Sequence, residues 1–421
     1  MREAPRTVPF DGPMPSLESM PPCPPSAGRA PPSQPWLRRG PRRAPQCLTA
    51  LVTLAAAVSA SGCSSGPAGA RTAAELFAAR RDLTVGVSPK AAAVRDIDGD
   101  GKQDIIVVRA TPGGSLTALL ADGNSMYSRS ELSSRIGDTP FDLVLQDLDG
   151  DGKLDAAAPC YLGGEVAVMW GGSFQNRLAM MTAGSHPYAL LAVDLDGKNG
   201  LDLLATNQVG NSLNVYLNQG GQTFAAPVRY TFDAAPAGFA IGDFDGSGPG
   251  TQDVAIALPA SDKVRLWPGA VGGTFNTGRA TDLIVGKNPV GVVKGILNED
   301  TWPDLVVANG GDNTVSVLFG SPSGFGSAVN YPVGANPTAV AVADLDADGH
   351  ADIVVANRAD DSISILRGTG GGQLISVGSL PVGEQPEGMT IDDLNQDGLP
   401  DIIVANVAVD TVTVYMGQAK Q

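Results

Sequence analysis

Cysteine and histidine are nearly missing from this 421-residue chain, with four of the first and two of the second. Cys23, Cys47 and Cys63 fall near the start, so only Cys160 remains for the rest, and no disulfide framework can form there. Cys160 lies at a strand end and reads as a small apolar residue. No Walker loop, Cys-x-x-Cys or His-Glu-x-x-His occurs, so chemistry beyond metal binding is hard to find. Convincing helical periodicity is lacking throughout. Positive charge is scarce: a net charge of −16 argues against a nucleic-acid backbone or an anionic membrane surface as partner.

The first 46 residues are rich in proline and carry a basic cluster at Arg38, Arg39, Arg42 and Arg43. An uncharged run from Cys47 to Ala60 follows, too short to span a bilayer but long enough for a signal-peptide core. It ends in Ala60-Ser61-Gly62-Cys63, which resembles a bacterial lipobox. The resemblance implies cleavage before Cys63 and lipidation of its thiol, and an ordinary signal peptide containing a cysteine is the alternative. Residues 1–62 are therefore expected to be a removed leader. Residues 63–74, small and polar, are expected to be a lipidated tether.

What the chain has in abundance is a nonapeptide, Asp96-Ile97-Asp98-Gly99-Asp100-Gly101-Lys102-Gln103-Asp104, repeated in some form seven times. Acidic or amide oxygens stand at positions 1, 3, 5 and 9. Three further copies keep all four: Asp147, Asp149, Asp151 and Asp155; Asp344, Asp346, Asp348 and Asp352; Asp393, Asn395, Asp397 and Asp401. Three copies are worn. Asp194 to Asp202 has Lys198 at position 5, Asp243 to Asp253 carries a two-residue insertion, and Ile296 to Asp304 has lost the first carboxylate. The ninth-position aspartates, at 104, 155, 202, 253, 304, 352 and 401, recur at intervals near fifty residues, the mark of a repeat architecture. A proline stands seven residues before position 1 in each copy, from Pro89 to Pro386.

The sixth unit predicts the fold of the rest. Pro337 to Ala343 is a first strand, and Ile353 to Asn357 a second, apolar throughout and suited to burial on both faces. Ser362 to Leu366 alternates as a third, and a glycine-rich turn leads to a short fourth near Leu374 to Val377. Four short antiparallel strands per unit make the blade of a β-propeller. The last copy lacks a fourth strand, while Ala78 to Gly86, before the first copy, has the form of one. An all-β, seven-bladed β-propeller over residues 75–418 follows, its ring closed by the N-terminal strand completing the last blade.

The Asp-x-Asp-x-Asp-Gly-x-x-Asp loop at a fixed place in each blade resembles the FG-GAP/VCBS-repeat propellers, related to the seven-bladed propeller of integrin α subunits. The Phe-Gly element is partly kept: Gly324-Phe325-Gly326 has it, Phe174, Phe224 and Phe275 keep the aromatic, and Leu374 and Met126 replace it.

The loop chemistry suits Ca²⁺, which takes six to eight oxygens from carboxylates, carbonyls and water. Side chains at 1, 3, 5 and 9 with the carbonyl at 7 (Lys102, Lys153, His350 and Leu399) meet that demand in the four intact copies, giving about four calcium sites. No glutamate stands at position 12, so the loop is not an EF-hand. The competing explanation is that Asp-Gly only makes good hairpin turns.

On the face away from these loops the turns before the prolines vary while the frame stays fixed, the usual setting for recognition. His186, Lys287, Asn288 and Glu384 are the candidate ligand-binding residues there. Asparagines ending second strands (Asn207, Asn309, Asn357 and Asn406) read as turn caps. Two functions remain. One is an exported, monomeric lipoprotein of the cell envelope, held to the membrane only by its lipid, whose propeller binds a protein or glycan. The other is a secreted enzyme acting on polysaccharide, since some propellers of the resembled family are lyases or hydrolases. The scarcity of histidine favours binding.

Overall fold

The computed structural model describes residues 71–419, apart from 124, 125, 134, 172, 173, 175–177, 183 and 249. The expected leader, Cys63 and the tether before residue 71 lie outside the described residues.

Seven four-stranded antiparallel sheets follow one another, each built around one acidic loop. Blade six has its strands at Pro337–Ala343, Asp352–Asn357, Ser362–Gly368 and Leu374–Pro381. The acidic loop joins the first strand to the second. Every residue of the second strand Asp352–Asn357 is buried, and the same holds for Asp155–Cys160, Asp202–Asn207, Asp253–Leu258, Asp304–Asn309 and Asp401–Asn406.

The reason lies in the two-residue period of a strand. In blade one, Ile105 and Val107 pack with Ile403 and Val412 of blade seven, while Ile106 and Val108 pack with Leu145 and Ala156 of blade two. An unbroken apolar run is what a strand needs when both its faces meet another blade. Seven apolar clusters fill the seven junctions in turn, and the one between blades seven and one closes the ring.

The seam forms as the sequence implies. Arg81–Thr84 pairs antiparallel with Thr411–Tyr415, with Arg81 opposite Val414 and Leu83 opposite Val412, as the outer strand of blade seven. A second clasp was not foreseen. One helical turn, Ala73–Leu76, precedes the strand, with the Thr72 amide donating to Glu75 Oε2 at 2.7 Å. Leu76 is fully buried and Phe77 nearly so, among Ile363, Leu380 and Val404 of blades six and seven. The docked segment thus starts at Ala73, inside the stretch expected to be tether, because Ala73 and Leu76 supply apolar surface that the junction covers.

The aromatics of the Phe-Gly element plug neighbouring junctions. Phe224 stacks on Trp170 of the preceding blade at 6.0 Å, and Phe325 meets Phe244 at 5.8 Å. Leu374 takes the same buried role in blade six. Met126 does not. It is 63 % exposed, and its neighbour Tyr127 packs against the blade seven–one cluster instead.

Candidate cation loops and the opposite channel mouth

Each ninth-position aspartate opens a second strand and is buried. In blade two, Asp155 Oδ2 accepts the Leu148 amide at 2.9 Å, and Oδ1 accepts the Gly171 amide at 2.6 Å. The same pair of bonds, from loop position 2 and from the end of the third strand, recurs in all seven blades. It is present even at Asp304, whose loop has lost its first carboxylate. The sevenfold aspartate is therefore a staple of the fold, and its recurrence does not by itself argue for a cation. Burial pushes all seven carboxyls above the usual range, Asp352 to about 7 and Asp401 to about 6.

The rest of the loop is wound by its own carboxylates. Asp96 accepts the amides of Gly99 (2.8 Å) and Gly101 (2.9 Å), and Asp98 accepts that of Asp100. Blade two repeats this at Asp147 and Asp149. Gly99 and Gly101 lie at φ +79 and +86, where a side chain would strain the turn.

The winding brings carboxylate oxygens of Asp96, Asp98 and Asp104 within 4.8 Å of one another, and likewise those of Asp147, Asp149 and Asp155. Position 5 turns outward: Asp100 pairs with Lys102, and Asp151 with Lys153 at 3.0 Å. The lysine beside it holds the Asp100 carboxyl below its usual range.

Two worn loops assemble the same triad, at Asp194, Asp196 and Asp202 and at Asp243, Asp245 and Asp253. In blade four the insertion falls after Gly248, whose amide still holds Asp243 Oδ2 at 2.9 Å, so the triad is undisturbed. In blade three Lys198 Nζ sits 3.5 Å from Asp196. Blade five has no oxygen at Ile296, and Asn298 donates to Asp300. Blade seven keeps Asp393, pinned by Gly398 (the residue before Leu399), while Asn395 donates to Asp397.

Blade six differs from all of these. Its cluster is Asp344, Asp346 and Asp348, and Arg367, from the third strand, forks onto two of them. His350 is half-buried beside Gly370, and its amide donates to Asp348.

The donor sets fit a hard divalent cation. All side-chain ligands are oxygens, three negative charges converge in each triad, and Asp243 Oδ1 is buried with no hydrogen-bond partner. Two such carboxylates about 4 Å apart repel by roughly 1 kcal/mol in water, and more when shielded.

The opposite face carries the turns before the prolines. Ser88, Thr139, His186, Asn288, Asn336 and Gln385 all sit at φ between +52 and +59, so these turns are rigidly specified. Of the candidate ligand residues, His186 meets Tyr161 edge-on at 4.6 Å. The Asn288 and Lys287 amides bond Asp262 and Asp312, and the Glu384 carbonyl accepts the Ala408 amide. Lys287 and Asn288 share one turn, whereas His186 and Glu384 belong to the turns of two other blades.

A different set does converge. Lys90, the residue after the blade-one proline, bonds Glu387 at 2.6 Å and lies 4.4 Å over the Phe141 ring. Phe141 meets Tyr161 (4.8 Å) and Tyr188 (5.7 Å), and Arg358 approaches Glu387 at 3.9 Å. Burial raises the Tyr188 hydroxyl to about 12. Below this cluster the first strands line a channel cavity of about 360 Å³ among Ala92, Leu143, Leu191 and Ile391.

The second-strand asparagines are not turn caps. Asn357 Nδ2 donates to Ser362 (3.1 Å) and Ser364 (2.9 Å) on the third strand, and Asn309 and Asn406 do the same with Thr or Ser at the same spacing. Their side chains are buried within the blade, which takes them away from the turn backbone.

A family model described as FG-GAP-like repeat matches residues 96–158, 297–355 and 344–404. The chain carries FG-GAP-like repeats. Each matched stretch contains at least one acidic loop and the second strand that follows it. No curated protein matches the chain. Among solved structures, two crystal structures of BBS1N in complex with ARL6DN are similar. The one soaked with lead has a TM-score of 0.57 at 12 % identity, and the one soaked with mercury 0.60 at 11 %. Each likeness covers 82 % of this chain and 98 % of the other, and at such identity it shows the fold alone.

Proposed function

We propose that this FG-GAP-repeat propeller is a calcium-stabilised binding module of the cell envelope that docks a protein partner on the face opposite its acidic loops. The observation that carries the reading is the asymmetry of that face. In blades seven, one, two and three the channel mouth gathers Glu387, Lys90, Phe141, Tyr188 and Tyr161. The same sector exposes Val87 (59 %), Leu162 (65 %) and Val209 (62 %). The turn positions matching Leu162 and Val209 in the other five blades hold Thr111, Ala260, Gly311, Ala359 and Ala408. Aromatic rings with charged neighbours and an apolar rim are the composition of interface centres. The similar structures, of BBS1N in complex with ARL6DN, are compatible with a protein partner.

A photo-cross-linking residue at Leu162 or Val209 should capture a partner, and Tyr161→Ala should abolish capture. Adducts formed only from the acidic-loop face would contradict this placement, and retention on a glycan array with no protein adduct would replace the protein by a glycan. Calcium belongs to the same reading: bound at blades one and two, it stiffens the loops that join first and second strands. The anchor is Cys63. Cys63→Ser should abolish labelling by a palmitate analogue, and normal labelling of that variant would remove the lipoprotein part of the proposal.

A further inference from the structure

We propose that Arg367 is a built-in counter-ion of the blade-six loop, pairing with Asp346 and Asp348 so that the loop takes up no divalent cation at calcium levels that fill blades one and two. The inference rests on reading the acidic loops as calcium sites. By sequence this loop keeps an aspartate at positions 1, 3, 5 and 9, as blades one and two do, and its departure from them involves a residue outside the motif.

Arg367 Nε lies 2.7 Å from Asp346 Oδ2, and Nη2 lies 2.6 Å from Asp348 Oδ2. The guanidinium is a planar, permanently charged fork, suited to bridging two carboxylates that a cation would otherwise join. Its place is particular to this blade. The residue before the amide that holds the ninth-position aspartate is Leu120, Trp170, Leu217, Pro268, Phe319 and Met416 in the other six.

The lysines of blades one and two are no equivalent. Lys102 and Lys153 reach the fifth-position carboxylate and leave the triad of positions 1, 3 and 9 to converge. Lys153 is also 66 % exposed at its side chain, free to swing into solvent, whereas Arg367 is 19 % exposed.

Asp346 makes the arrangement obligatory. Its side chain is 5 % exposed, and its second oxygen, Oδ1, is buried with no hydrogen-bond partner. A carboxylate so placed needs a positive charge beside it. Arg367 supplies one now, and a divalent ion would have to supply it if the guanidinium were removed.

Calcium bound per molecule, measured by equilibrium dialysis of the whole chain at sub-millimolar free calcium, separates the possibilities. Asp346→Asn in the natural protein should leave the stoichiometry unchanged. Arg367→Met, which installs the blade-seven residue type, should gain one ion, and adding Asp346→Asn to it should remove that ion again. The rise in melting temperature from EDTA to calcium should also be larger for Arg367→Met than for the natural protein. Loss of an ion from Asp346→Asn alone, or no gain in Arg367→Met, overturns the inference. If Arg367→Met fails to fold, the Asp346→Asn measurement decides. Failure of the wider calcium reading shows elsewhere, as no loss from Asp98→Asn in blade one.

Discussion

Replacing Asp304 by alanine isolates the structural role of the repeated aspartate, because blade five has no carboxylate at the first loop position and so little to offer a cation. The change deletes two acceptors at once: the Leu297 amide, 2.8 Å from Oδ2, and the Gly320 amide, 2.9 Å from Oδ1. Both bonds are buried, so neither amide can turn to water. A buried donor left unsatisfied costs about 1–3 kcal/mol, so the pair should cost on the order of 2–6 kcal/mol. That is a large share of the roughly 5–15 kcal/mol by which domains are stable. With a urea dependence near 3 kcal/mol/M, the unfolding midpoint should fall by about 1 M. The loss should be equal in EDTA and in calcium. A cost below about 1 kcal/mol, or one that calcium alters, would refute the view that this aspartate is a staple independent of any ion.

Leu76→Ala empties a fully buried site at the blade six–seven junction and should cost about 2–5 kcal/mol, read as a lowered midpoint. Gly334→Ala would set a Cβ 2.6 Å from Asn357 Cγ, so thermal denaturation should show a loss of about 1–3 kcal/mol. The pH dependence follows from the buried aspartates. The Asp352 and Asp401 carboxyls hold their protons to about pH 7 and 6 when folded, but release them near 3.8 when unfolded. Between those values the folded chain binds more protons, so calcium-free protein should lose stability as pH rises from about 4 to 7, by a few kcal/mol. Asp282, lowered to about 2 by Arg265, loses its contribution only below about pH 4 and leaves that window untouched. Melting temperatures in EDTA that rise across it would contradict the assignment.

Much of the fold was legible because a blade imposes several periods at once. The apolar second strands, the proline before each loop and the complementary chain ends all point to the same ring, and the sheets follow them. The candidate sites were legible only in part. The motif showed which residues carry oxygen, but not where a cation from another strand would arrive. Arg367 lies fifteen residues beyond Asp352, and it reaches the loop only through the register of the third strand. That the ninth aspartate also staples the fold was not legible, because its partners are backbone amides and any residue can supply one. Nor did the sequence show that the blade-four triad survives its insertion, which falls outside the triad's bonds. The asparagine clips did leave a signal, Asn followed at five and seven residues by Ser or Thr, as in Asn309, Thr314 and Ser316. The docked turn at Ala73–Leu76 left almost none, being only four residues long.

The central claim is that the acidic loops are cation sites on this propeller, and calcium bound per molecule tests it most directly. Dialysed protein should hold two ions or more, with Asp98→Asn and Asp149→Asn each removing one. At free calcium ten times the dissociation constant, each site should add about 1.4 kcal/mol to stability, and EDTA should lower the melting temperature accordingly. Protein that binds no calcium and melts identically with and without EDTA would mean that the loops are turns alone.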